Sequence, residues 1–162
     1  MVKPLQEYFF VVMRHAQPNE ERMALAPQAD EQIDNTITAL HNFLGSLHSQ
    51  SGKIYELGVA YNSKDTIPQL TAQELALRLG VFPAVNWTHL PADLSYLALC
   101  LKELTPTKIV VFVSHQPDVE NWLRLAKAPR QFDASRSLLY AAPHFLRMTI
   151  QGNRIVEFRG VD

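Results

Sequence analysis

The chain has 162 residues, 47% of them hydrophobic, which is material for one globular domain over residues 1–162 with a single core. Its 15 basic and 16 acidic side chains leave a formal net charge of -1, so nothing favours nucleic acid or a membrane as partner and any anion site has to be local. Cys100 is the only cysteine, which excludes an internal disulfide and a multi-cysteine metal cluster, fits a reducing compartment, and reads as core from its apolar neighbours.

Met1 to Glu7 is a short lead-in, with Pro4 just ahead of the first strand. Phe9 to Gln17 then reads FFVVMRHAQ. An unbroken run of bulky apolar residues fits a strand buried on both faces of a parallel sheet, and the loop leaving such a strand opens where α/β proteins bind ligands. The run from Tyr8 to Met13 is too short for a signal sequence or a membrane span, and the expected location is cytoplasmic. Gln17 to Asp30, with Pro18 and Pro27, reads as a loop. From about Glu31 the residues Ile33, Ile37, Leu40, Leu44 and Leu47 recur at helical spacing until Gly52. His41 and His48 on this helix stand about 10 Å apart along its axis, too far to share a metal, and are expected in solvent.

Ile54 to Tyr61 is the second strand. It ends at Asn62-Ser63-Lys64-Asp65, and Leu70, Ala72, Leu75, Ala76 and Leu79 mark a second helix closed by Gly80. Val81 to Pro91 reads mostly as loop, with a short strand around Val85, and Leu94, Leu97, Ala98 and Leu101 as a third helix that Pro106 helps to end. Lys108 to Val113, KIVVFV, is another apolar strand and runs into Ser114-His115-Gln116-Pro117-Asp118. Pro117 suits the start of a helix whose positive end Asp118 and Glu120 complement and whose buried stripe is Val119, Trp122, Leu123 and Ala126. Arg136 to Ala142 and Phe145 to Ile150 read as strands, and Gln151-Gly152-Asn153 as a turn into Ile155 to Phe158. Alternating strands and helices followed by a hairpin imply an α/β fold: a three-layer α/β/α sandwich with a mostly parallel central sheet and a C-terminal antiparallel addition.

Two of these strands end in a histidine. Arg14 offers a planar fork of donors to a phosphate or carboxylate, and His15 can act as base, nucleophile or anion partner. The pair suggests phosphoryl chemistry; taken alone, it is also compatible with an arginine that merely ends a strand in solvent beside an ordinary loop histidine. His115, at the end of a second strand of the same kind, could face His15 across a crevice. VMRHAQ followed by VSHQPDV resembles the histidine phosphatase superfamily, also called phosphoglycerate mutase-like, and the short chain with its RHA spelling most resembles the SixA-like phosphohistidine phosphatases. The order of elements follows the resemblance over nearly the whole chain, whereas the sharp matches lie in these two stretches.

The resemblance implies the α/β/α architecture and a metal-independent reaction with no cofactor. It makes His15 the nucleophile that becomes phosphorylated, gives Arg14 the phosphoryl oxygens, and makes His115 a further donor from across the pocket. Ser114 and Gln116 would add hydroxyl or backbone contacts. Two departures stand out. The family's second arginine lies in a pattern like S-P-x-x-R-A-x-Q-T-A; here SKDTIPQLTA spans Ser63 to Ala72, and the arginine position falls on Ile67, which cannot clamp an oxyanion. Lys64 in the same loop is the first substitute, though a lysine lacks the bidentate fork and is also compatible with plain exposure; Arg22 and Arg136 are the next cations to consider. The family's L-T-x-x-G stretch is not recognisable between Ala24 and Ala39.

A carboxylic acid for an alcohol leaving group is not evident. Asp93 and His89 come nearest in chain order, and Asp93 reads better as a helix N-cap. A site without a strong acid suits a phosphohistidine, which leaves as an imidazole, better than a sugar phosphate. The expected activity is therefore a phosphatase working through a phosphohistidine intermediate on phosphohistidine in proteins or a small phosphomonoester. The alternative is a catalytically degenerate relative that serves as a phosphate-binding or protein-interaction module. The partner is a phosphorylated protein or a small phosphorylated substrate in either case.

Overall fold

A computed structural model describes residues 4–62, 66–86, 106–126, 138–152 and 154–161. Within them a six-stranded sheet is built from β1 (Leu5–Arg14), β2 (Glu56–Tyr61), β3 (Val85–Asn86), β4 (Lys108–Ser114), β5 (Pro143–Gln151) and β6 (Arg154–Gly160), in the order β3-β2-β4-β1-β5-β6. The first four strands in that order run parallel. β5 and β6 are added antiparallel beyond β1, as the hairpin after the helical part of the chain implied.

Side chains of a strand alternate between faces, and the two apolar runs of β1 and β4 supply both. Phe9, Val11 and Met13 with Ile109, Val111 and Val113 face one apolar cluster, shared with helix α1 (Ala29–Ser51) through Ile33, Leu40 and Leu47 and with α2 (Thr66–Leu79) through Ala72, Leu75 and Ala76. Phe10 and Val12 with Val110 and Phe112 face the other, where α3 (Gln116–Leu125) lays Val119, Trp122 and Leu123. The helices thus cover opposite faces, and the architecture is the expected three-layer α/β/α sandwich. Gly52 and Gly80 close α1 and α2 in left-handed conformations, with φ of 71° and 69°, which is where a glycine C-cap places them.

β1 and β4 are neighbours, paired from Phe10 opposite Val110 to Arg14 opposite Ser114. The chain leaving β1 goes to α1 on one face, while the chain leaving β4 goes to α3 on the other. Adjacent parallel strands whose connections part in this way open a crevice at their carboxyl ends, and both histidines sit there.

One expected strand is not seen among the described residues. Leu138 to Ala142 is a turn, not the end of a strand from Arg136, because Ala141 takes a left-handed φ of 56° and its N–H is used by β1's exit rather than by a sheet ladder. The expected third helix from Leu94 to Leu101 lies outside the described residues, as do Lys64, His89, Asp93, Cys100 and Arg136. Among the described residues no helix is long and apolar enough to cross a membrane.

Candidate active site

His15 follows the last residue of β1 and keeps the sheet's pairing for one further step, its N–H bonding the Ser114 carbonyl at 3.0 Å. The residue is 2% exposed. Nδ1 lies 2.8 Å from the carbonyl oxygen of Ala16. A carbonyl can only accept, so Nδ1 carries the hydrogen, and in the neutral ring Nε2 keeps its lone pair. The next peptide is pinned as well: Ala16 N–H donates to the Thr71 hydroxyl at 3.0 Å, and that hydroxyl donates to the Ile67 carbonyl at 2.9 Å. The first turn of α2 is thereby tied to the loop that carries His15.

Burial is the main reason that the proton affinity of His15 falls from 6.5 to about 4; the hydrogen bond to Ala16 opposes this, and the charges of His115, Arg14 and Arg22 add to it. The ring is neutral at pH 7. A histidine whose pKa is depressed in the native state favours the native state less as pH falls, because below 6.5 the unfolded chain takes up the proton first. The penalty grows from pH 6.5 down through about 4 and reaches about 3 kcal/mol below that. By pH 5 it should amount to about 2 kcal/mol. Urea titrations of wild type and His15→Gln at pH 7.5 and pH 5 test this: the wild type should lose about that much more than the variant. Equal losses would mean that His15 titrates normally.

His115 occupies the N-cap position of α3, with extended dihedrals of -76° and 158° and its carbonyl accepting the N–H groups of Asp118 and Val119. Pro117 in the first turn fits a helix start, where an N–H has no intrahelical partner. The half-buried ring stands edge-on to His15, the centroids 5.2 Å apart and the planes at 81°. The expected meeting of the two histidines is therefore realised.

Ser114 is fully buried, with its hydroxyl 3.1 Å from the Asn62 carbonyl and 2.5 Å from the Asp118 carboxylate. Its single proton is engaged between β2's exit and α3, so it ties the two elements together at the floor of the crevice. The Gln116 amide donates to Glu120 on α3 at 2.8 Å.

Arg14 is held by a segment that the sequence did not single out. Its Nη1 donates to the Leu138 carbonyl at 2.9 Å, and its Cζ lies 4.1 Å over the ring of Tyr140, which also stands 5.8 Å from the His15 ring. Nε is buried and has no partner among the described residues. The Ala141 N–H is shared between the carbonyls of Arg14 and His15, at 3.0 and 3.2 Å, and the Thr36 hydroxyl of α1 holds the Ala141 carbonyl.

The cations divide as follows. Ile67, at the position of the expected second arginine, is 2% exposed at the start of α2. Arg22 sits at the tip of the loop after β1 with a left-handed φ of 56°, in a turn fastened by the Asn19 side chain to the N–H groups of Met23 and Ala24. Its side chain is exposed, yet its charge reaches His15. Among the described residues no group of three or more His, Cys, Asp or Glu is placed to hold a metal ion.

An arginine fork, an imidazole with a free lone pair and a second imidazole facing it can bind a tetrahedral oxyanion and attack its central atom. No protein-family model matches the chain, and no curated protein matches its sequence. Solved structures do match. One, from Nakamurella multipartitia and named provisionally as phosphohistidine phosphatase SixA, is 15% identical and aligns over 96% of this chain and 94% of its own, with a TM-score of 0.52. A second of the same provisional name, from Agrobacterium tumefaciens, is 14% identical over 93% of this chain and 96% of its own, with a TM-score of 0.49. What the chain shares with the Nakamurella protein is the fold.

Proposed function

We propose that the chain is a phosphatase that works through a phosphohistidine at His15. The observation that carries this reading is the state of that ring: neutral, with Nδ1–H fixed on the Ala16 carbonyl, Nε2 unprotonated, and His115 and Arg14 at its side. Nε2 attacks phosphorus and the bond to the leaving group breaks, its electron pair going with that group, which takes a proton from solvent. Water then attacks the phosphohistidine, the P–N bond breaks, and orthophosphate and neutral His15 are released. Arg14 and His115 hold the equatorial oxygens while charge shifts onto them, and Ser114 keeps the floor rigid through its own partners. The fold shared with a structure named for phosphohistidine hydrolysis supports a phosphorylated substrate. Phosphohistidine in a protein suits the site best, because its imidazole leaving group needs little acid help. The chain is read as one domain acting in the cytoplasm.

Ile67 favours a second reading, a phosphate-binding module without turnover, since a buried isoleucine supplies no donor to an oxyanion. Arg22 is the candidate to supply that donor, since it stands on the loop after β1 and its charge helps to lower the proton affinity of His15. Hydrolysis of a phosphohistidine peptide separates the two readings: turnover supports the enzyme, while vanadate binding without turnover supports the module. Arg22→Ala should weaken vanadate binding about tenfold, as expected for loss of one charged hydrogen bond, and raise the pKa of His15 measured by NMR. If neither changes, Arg22 is an ordinary loop cation, and Lys64 becomes the residue to replace.

A further inference from the structure

Arg14 carries the strongest donor set in the crevice, yet strand geometry alone does not fix where its guanidinium points. An arginine side chain has several rotatable bonds and loses much freedom when held, so an enzyme that needs it in one place has to restrain it. Three contacts do this here. Nη1 is spent on the Leu138 carbonyl, the guanidinium plane is covered by Tyr140, and the turn bearing both residues is fastened back to the Arg14 and His15 carbonyls by the Ala141 N–H. The turn is anchored from outside by Thr36 of α1. Nε is buried, and Nη2 has no partner among the described residues.

Resting on the phosphatase reading, we propose that Tyr140 is a positioning residue for catalysis: its ring and the Leu138 carbonyl form a cradle that presets the Arg14 guanidinium, leaving Nη2, which no described residue engages, for a phosphoryl oxygen of the substrate. The cradle explains why a half-buried aromatic side chain stands against both Arg14 and His15 in a turn that belongs to neither β1 nor the helices. It also explains the left-handed Ala141, a conformation that a non-glycine residue takes at some cost and that brings its N–H onto two carbonyls of the site at once. The ring face does the work, through attraction to the cation, and the hydroxyl is dispensable.

Wild type, Tyr140→Leu and Tyr140→Phe are compared for orthovanadate affinity, hydrolysis of p-nitrophenyl phosphate and melting temperature. Tyr140→Leu is expected to weaken vanadate binding and lower kcat/KM, each fivefold to thirtyfold, which at about 1.4 kcal/mol per tenfold corresponds to about 1 to 2 kcal/mol. Tyr140→Phe should stay within about twofold of wild type, since it keeps the ring. A leucine variant that melts earlier but binds vanadate like wild type overturns the proposal and makes Tyr140 a packing residue. So does a phenylalanine variant as impaired as the leucine one. Wild type that binds no vanadate overturns both this proposal and the phosphatase reading, whereas binding that survives Tyr140→Leu overturns this proposal alone. If Tyr140→Leu does not fold, the Arg14 guanidinium resonances of wild type and Tyr140→Phe carry the test. Vanadate should shift them alike in both proteins, and resonances indifferent to saturating vanadate overturn the assignment.

Discussion

His15→Ala is expected to abolish hydrolysis of a phosphohistidine peptide, with turnover falling by roughly ten-thousandfold or more, as loss of a nucleophile does elsewhere. The size of the effect follows from the role. Without Nε2 of His15, whose ring is neutral and fixed by the Ala16 carbonyl, there is no covalent intermediate. The fold should survive, because the residue's structural duty is mostly in its backbone: the N–H on Ser114 and the carbonyl shared with Ala141 both remain. Circular dichroism and a melting curve check that, and full activity in a folded variant would remove His15 from the mechanism.

His115→Ala should lower turnover about a hundredfold or more, as loss of a transition-state donor typically does. The ring is half-buried and faces His15 edge-on, while the start of α3 depends on its carbonyl and on Pro117 rather than on its side chain, which makes no cap hydrogen bond. Stability should therefore change little. A variant with a normal rate and a large drop in melting temperature would show that His115 serves packing. The double variant with His15 replaced should be no worse than His15→Ala alone, since residues that act as a unit are not additive.

How much of this was legible in the sequence depends on how local each signal is. FFVVMRH and KIVVFVSH announce themselves because a strand buried on both faces needs an unbroken apolar run, and such a run ends where the chain reaches the sheet's carboxyl edge. α1 and α2 followed from spacing and from Gly52 and Gly80 at their ends. Leu138 to Ala142 reads from sequence as the end of a strand from Arg136 for an equally physical reason. LLYAA is apolar throughout and has neither glycine nor asparagine to mark a left-handed turn, so its turn carries no local signal. What bends it is contact with Arg14, 124 residues earlier in the chain. Tyr140 was missed with it. Thr71 was missed too, since a threonine inside a helix carries no sign that its hydroxyl will reach the loop beside a distant histidine. The expected arginine position at Ile67 was read from a pattern alone, and the structure shows it as buried aliphatic surface at the head of α2.

The most direct test of the central claim is to mix the protein with a phosphohistidine peptide, quench in alkali within milliseconds, and map phosphate on the chain by mass spectrometry, since phosphohistidine survives base. One phosphorylated residue, His15, is expected in wild type, more of it in a His115→Ala variant if dephosphorylation slows more than attack, and none in His15→Ala. Turnover with no phosphate on His15, or label on another residue, would contradict it.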